Sequence, residues 1–240
     1  MAETGHARNV EHFSQMISFC QGYGGDYDPS NSAITVANLQ AKLASSQAGI
    51  DGVTTSMAPW KTKVNERETA YEGIRKLVTR VVNSYAASGA QKNSVDDAKS
   101  FKRKIDGARA KALPVDDPGT PEDESKGNSV SQRSYTQVAE HFDNLIELLS
   151  NDPLYAPNET LLQIAQLQAK STAMKNANDA VTAAATPLSN ARISRNTELY
   201  GADTGLCDLA GLVKKYVKSL YGADSPQYKQ ISGLEFRTVK

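Results

Sequence analysis

Histidine, cysteine and clustered carboxylates are the side chains with which such a chain would do chemistry, and they are few. His12 and His141 each follow a glutamate, as Glu11-His12 and Glu140-His141. Imidazole with carboxylate suits several divalent ions, so the two pairs, brought together, are candidate metal ligands. Their spacing argues against that role: ligands on one helix usually sit three or four residues apart, whereas adjacent residues point about 100° apart. The third histidine, His6, falls in the N-terminal tail. Cys20 and Cys207 lie far apart and form neither a disulfide framework nor a zinc knuckle. No motif sets a base beside either thiol, so nucleophilic catalysis has no support. Residues 26–31, DYDPSN, open with the rhythm of a calcium loop, but Asn31 stands where glycine is needed and Ala37 where the closing glutamate belongs. A proline turn explains that segment better. GYGGD, residues 22–26, lacks the Gly-Lys-Ser/Thr ending of a phosphate loop. The chain therefore reads as non-catalytic, with no cofactor.

Charge points the same way. The 27 basic and 27 acidic side chains cancel, which argues against a chain selected mainly for nucleic acid or anionic lipid. One local exception is the cluster Lys99, Lys102, Arg103, Lys104, Arg109 and Lys111, with a smaller group at Lys214, Lys215 and Lys218. Such clusters can neutralise phosphates. No aromatic stripe interleaves the first, and an acidic segment adjoins it, so a solvated helix face is the preferred reading over a nucleic-acid surface on residues 95–111.

The elements that would position these residues come in two copies. Residues 11–42 recur as residues 140–170, both ending in the same leucine-glutamine-alanine-lysine phrase. The match continues 128 residues apart through Asp51/Asp179, Pro59/Pro187, Arg67/Arg195 and Thr69/Thr197. Beyond a seven-residue insertion it continues through Val78/Val213, Val82/Val217 and Phe101/Phe236. An ordered series of this kind predicts a tandem duplication in which each copy covers the other's apolar face. The expected organisation is a first helical repeat over 1–112, a flexible acidic linker over 113–130, rich in Pro, Gly and Ser, and a second repeat over 131–240. The two repeats would form one composite bundle.

Everything outside the linker reads as helix. Val10, Phe13, Ile17 and Cys20 share one helical face, as do Val138, Phe142, Leu145 and Leu149. A stripe with alternating steps of three and four then runs from Val36 through Leu39, Leu43, Ile50, Val53, Trp60, Arg67, Tyr71, Ile74 and Val78 to Tyr85. The second copy repeats it from Ile164 to Leu199 and resumes at Leu206. Such a pattern predicts helices packed at shallow angles, as in bundles. Pro59 and Pro187 admit two readings: the first residue of a new helix in a hairpin, or a kink within one helix of about fifty residues. The stripe keeps its phase across both prolines, which favours the long, kinked helix. Trp60, on the stripe, is expected to be buried, its truncation costing about 3–5 kcal/mol. Ser94 is expected to cap a basic helix running to about Lys111, and Ser225-Pro226 to start its shorter counterpart.

Arg67 and Arg195 occupy stripe positions where apolar residues are expected, and a buried guanidinium needs a partner. Asp51 and Asp179 are the acids within reach, forming structural ion pairs with the arginines. A hairpin would pair them within a repeat. Two long helices crossing antiparallel would pair Asp51 with Arg195 and Asp179 with Arg67, the preferred arrangement.

The segments LVTRVVNSYAASGA, TPLSNARISRNTELY and SPQYKQISGLEFR resemble an uncharacterised family of duplicated, all-helical bacterial proteins common in Bacteroidetes. That resemblance implies a helical fold and a bacterial source, and brings no known activity or functional residues with it.

The expected fold is thus all-α, an elongated helical bundle of two tandem pseudo-equivalent repeats with long, Pro-kinked helices. The expected function is a structural or protein-interaction bundle engaging a protein partner or copies of itself. The alternatives are a metal- or small-ligand-binding bundle using the Glu-His pairs, and a nucleic-acid-associated protein. No apolar run reaches membrane-spanning length and residues 1–10 have no secretory core, so no membrane insertion and a reducing, cytoplasmic setting are expected.

Overall fold

The computed structural model describes residues 4–107 and 134–237. The linker expected over 113–130, and Arg109 and Lys111 of the basic cluster, lie outside the described residues. The described residues are mostly helical, with no strand among them. In order they form α1 (Thr4–Gly22), α2 (Val36–Tyr71), α3 (Ile74–Ala87), α4 (Lys92–Asp106), α5 (Tyr135–Ser150), α6 (Ile164–Tyr200), α7 (Leu206–Tyr221) and α8 (Pro226–Ser232). Among the described residues, no helix is long and apolar enough to cross a membrane.

The boundaries follow from local chemistry. Asn31 accepts from the Ala33 amide and caps a 3-10 turn at Ser32–Ile34 that leads into α2. Ser134 and Ser225 cap α5 and α8 through the amides of Gln137 and Tyr228, and Pro226 opens α8 where a missing N–H is harmless. Gly73 ends α2 with a positive φ of 74°, a conformation a β-carbon would disfavour.

Helix α2 runs through Pro59 and α6 through Pro187, so neither proline begins a hairpin. The fifty-residue helix expected over the first stripe is divided, however. Gly73 separates α2 from α3, although the stripe keeps its phase and Tyr71, Ile74, Val78, Val81 and Tyr85 are all buried. An apolar period records which face is covered and is blind to the two-residue break, Glu72-Gly73, between the helices. Two further expectations need correcting. Helix α4 begins at Lys92, before Ser94, and ends where Gly107 adopts φ 69°. Trp60 is only half-buried, so its truncation removes less burial than a core aromatic would.

The chain divides into two compact units, one of Met1–Lys61 with Ala183–Lys240, the other Thr62–Thr182. Each takes residues from both halves of the sequence, and the divisions fall a few residues from Pro59 and Pro187. The first unit contains α1, the N-terminal part of α2, the C-terminal part of α6, α7 and α8. Its core gathers Phe13, Met16, Leu39, Leu199, Leu206, Val213 and Ile231. The second contains the end of α2, α3, α4, α5 and the start of α6, around Val78, Tyr85, Ala98, Phe142, Leu145, Leu167 and Met174.

The local details of the two units correspond. The Tyr27 hydroxyl donates to the Ile34 carbonyl at 2.7 Å, and Tyr155, 128 residues later, donates to Leu162 at the same distance. Each tyrosine straps a 3-10 turn, Ser32–Ile34 or Thr160–Leu162, beneath the start of a long helix.

Candidate functional site

The Glu-His pairs sit on α1 and α5, one in each unit. On α1, Glu11 is exposed and the His12 ring meets the Glu235 carbonyl through Nδ1 at 2.8 Å. On α5, Glu140 is exposed and His141 half-buried. Burial, reinforced by the nearby Lys104, lowers the His141 pKa, while Glu140 works in the opposite sense. Among the described residues no group of three or more His, Cys, Asp or Glu side chains is placed to hold a metal ion. His6 belongs to α1 rather than to a tail. It is 4% exposed and its Nδ1 lies 2.7 Å from the Tyr200 hydroxyl. Burial pushes both thiols, Cys20 and Cys207, up to about 11, which keeps them protonated near neutral pH.

Of the four described members of the basic cluster, two pair with acids on their own helix. Lys99 pairs with Asp96 at 2.9 Å and Lys102 with Asp106 at 2.5 Å, while Lys104 lies over the Phe101 ring. Lys214 is turned to structural use. Its ammonium donates to the Leu234 carbonyl at 2.5 Å and the Ser232 carbonyl at 3.2 Å, and burial lowers its pKa.

The Asp–Arg pairing expected from the sequence is replaced by other contacts. Asp51 is exposed and accepts from Gln47 Nε2 at 3.0 Å, and Asp179 is also exposed. Arg195 is 5% exposed and donates through Nε and Nη2 to Asn196 Oδ1. Arg67 lies over the Tyr135 ring, its guanidinium carbon 4.0 Å from the centroid, a cation–π contact in place of a carboxylate. The register explains the difference in the first unit. The residue facing Arg195 is Gly49, at which a β-carbon would lie 3.2 Å from the arginine Cα. Two positions along a helix are about 200° apart, so Asp51 projects away from the arginine that Gly49 admits. The ion pair that does tie these segments of α2 and α6 is Lys42–Glu198 at 2.8 Å, with Ser45 donating to the same carboxylate oxygen. These two bonds hold the Glu198 pKa low.

Three features gather residues that sequence reasoning passed over. Asn9, 1% exposed, donates from Nδ2 to the Arg237 carbonyl at 2.8 Å and accepts the Arg237 amide at 3.0 Å. In the second unit, Tyr71 donates to the Tyr135 carbonyl and accepts from Asn178 Nδ2, both at 2.7 Å. The two tyrosine rings meet edge to face at 4.8 Å. Beside them opens a groove of about 520 Å³, walled by Tyr71, Ile74, Ile105, Tyr135 and Val138 and flanked by Arg75, Lys76 and Glu72. An apolar residue at Val138 and a tyrosine at a helix start look like ordinary core signals. Only the spatial arrangement shows that they border a concavity.

No protein-family model, curated protein or solved structure matches the chain.

Proposed function

We propose that the protein is a non-catalytic helical interaction module, built by tandem duplication, that offers its surfaces to a protein partner or to a second copy of itself. The observation that carries this reading is the groove in the second unit. Its walls are aromatic and aliphatic, and its charged side chains are those of Glu72, Arg75 and Lys76. A surface of that composition suits an apolar protein segment, since burial of apolar area provides affinity and a charged rim sets orientation. The duplication is supported by the ordered sequence series and by the matched Tyr27 and Tyr155 straps. The resemblance to duplicated bacterial helical proteins supports a bacterial source, and the two protonated, unpaired thiols suit a reducing cytoplasm.

The test is a benzoylphenylalanine photo-crosslinker placed at Lys76, with Lys215 in the other unit as control. Irradiation in the producing cells should give a discrete protein adduct at position 76, either a dimer or a heteromer, and none at 215. Equal labelling at both positions, or no adduct at 76, would refute the reading.

A further inference from the structure

The end of the described chain is held in the first unit as a bound peptide would be. After α8, residues 234–237 take no helical form, and alternate side chains turn inward: Leu234 is buried, Glu235 exposed, Phe236 half-buried and Arg237 exposed. This is the alternation of an extended strand. Side chains from α1 and α7 grip its main chain. Asn9 makes two hydrogen bonds to Arg237, His12 meets the Glu235 carbonyl, and Lys214 donates to the Leu234 carbonyl. Phe236 supplies the aromatic anchor, edge-on to Phe13 at 6.5 Å and to His12 at 6.1 Å. Among its described residues the second unit has no such arrangement: Val138 stands where the sequence pairing would place Asn9, and α4 remains helical to Asp106.

We propose that the cradle of Asn9, His12 and Lys214 is a recognition site for extended peptide segments of the pattern apolar–x–aromatic–x, with residues 234–237 acting as its ligand in cis. Four of the bonds fall on main-chain atoms, which every peptide carries, while the inward Leu234 and Phe236 supply the sequence preference. Strand-type recognition divides affinity and specificity in this way. A buried amide with two bonds to one residue's backbone needs an extended chain, because a helical residue has already committed those groups. The tail leaves α8 through Gly233, so its high local concentration makes it the resident competitor that an incoming segment must displace. The proposal rests on the reading of the chain as an interaction module and deepens it. Its test reads the α1–α7 surface alone, so failure here and failure of the crosslink at Lys76 are separately recognised.

The experiment uses the full chain carrying Leu234→Ala and Phe236→Ala, which removes the anchors of the resident tail. The probe is a fluorescent synthetic peptide, Gly-Leu-Glu-Phe-Arg-Thr-Val-Lys, followed by anisotropy. Saturable binding is expected to the variant, and binding at least about tenfold weaker to the unmodified chain, whose own tail competes. Adding Asn9→Ala to the variant, or replacing the peptide's phenylalanine by alanine, should each weaken binding by about tenfold or more. Arg237→Pro, which deletes the amide bonded to Asn9 without touching the core, is the second way to free the cradle. No saturable binding to either variant while its helical circular dichroism is retained would overturn the proposal, as would binding indifferent to Asn9→Ala. Loss of the fold in both variants would overturn it too, since the tail would then be an inseparable part of the core.

Discussion

An amide side chain that meets both hydrogen-bonding groups of one residue acts as a template for backbone, and Asn9 does this while almost wholly buried. Asn9→Ala leaves the Arg237 main chain without these partners, and is expected to lower stability by about 2–3 kcal/mol in urea denaturation. A change within about 0.5 kcal/mol, the range of an ordinary surface substitution, would show that the tail is not held there. Tyr85 is a second buried side chain with a partner distant in sequence. Its hydroxyl donates to Asp152 Oδ2 at 2.5 Å, and this bond, followed by the Leu154 amide, lowers the Asp152 pKa. A carboxylate with a depressed folded-state pKa adds stability that is present above the unfolded value, about 3.9, and lost as pH falls through the folded one. The stability difference between wild type and Asp152→Asn should therefore shrink on acidification below about pH 4. A difference that is constant or grows toward acid would contradict the pairing. At this scale the sequence was least legible. Asn9 sits in an unremarkable N-terminal stretch, and its partner lies 228 residues away. The arginines at stripe positions are buried or half-buried, Arg67 lying over a tyrosine face and Arg195 donating to an asparagine, contacts that the stripe alone does not specify.

Helix α2 carries its own matched experiment in two glycines. A β-carbon at Gly49 would meet the Arg195 Cα at 3.2 Å, whereas one at Gly52 would meet nothing within 4 Å. Backbone cannot yield as a flexible side chain can. Gly52→Ala should thus stabilise the protein by up to about 1 kcal/mol through helix propensity. Gly49→Val should destabilise it by about 1–3 kcal/mol through overpacking. Thermal midpoints moving in the same direction for both would rule out the close approach of α2 and α6 at this point. Elements were the most legible scale: the Ser225-Pro226 start of α8, the interruption after Tyr200 and the stripes of Leu39 and Leu167 all follow from local chemistry. Gly73 was missed because it falls between two stripe positions, Tyr71 and Ile74, where the apolar period passes over it without a change of phase.

At the scale of the molecule, pairing between distant segments decides the organisation, and periodicity says nothing about which apolar face meets which. The compact units each draw on both sequence halves, residues 1–61 with 183–240 and residues 62–182 across the middle of the chain. Phe13 and Leu39 from the first half share a core with Leu206 and Val213 from the second, and Val78 and Tyr85 share one with Phe142 and Leu167. Neither half then contains a complete core, so a cut between them should leave both cores dependent on both pieces. The direct measurement is to produce residues 1–112 and 131–240 as separate chains and follow them by sedimentation and circular dichroism, alone and mixed. The account predicts that each is poorly folded alone and that the mixture forms an equimolar complex that melts cooperatively. Two fragments that fold independently and sediment apart when mixed would contradict it.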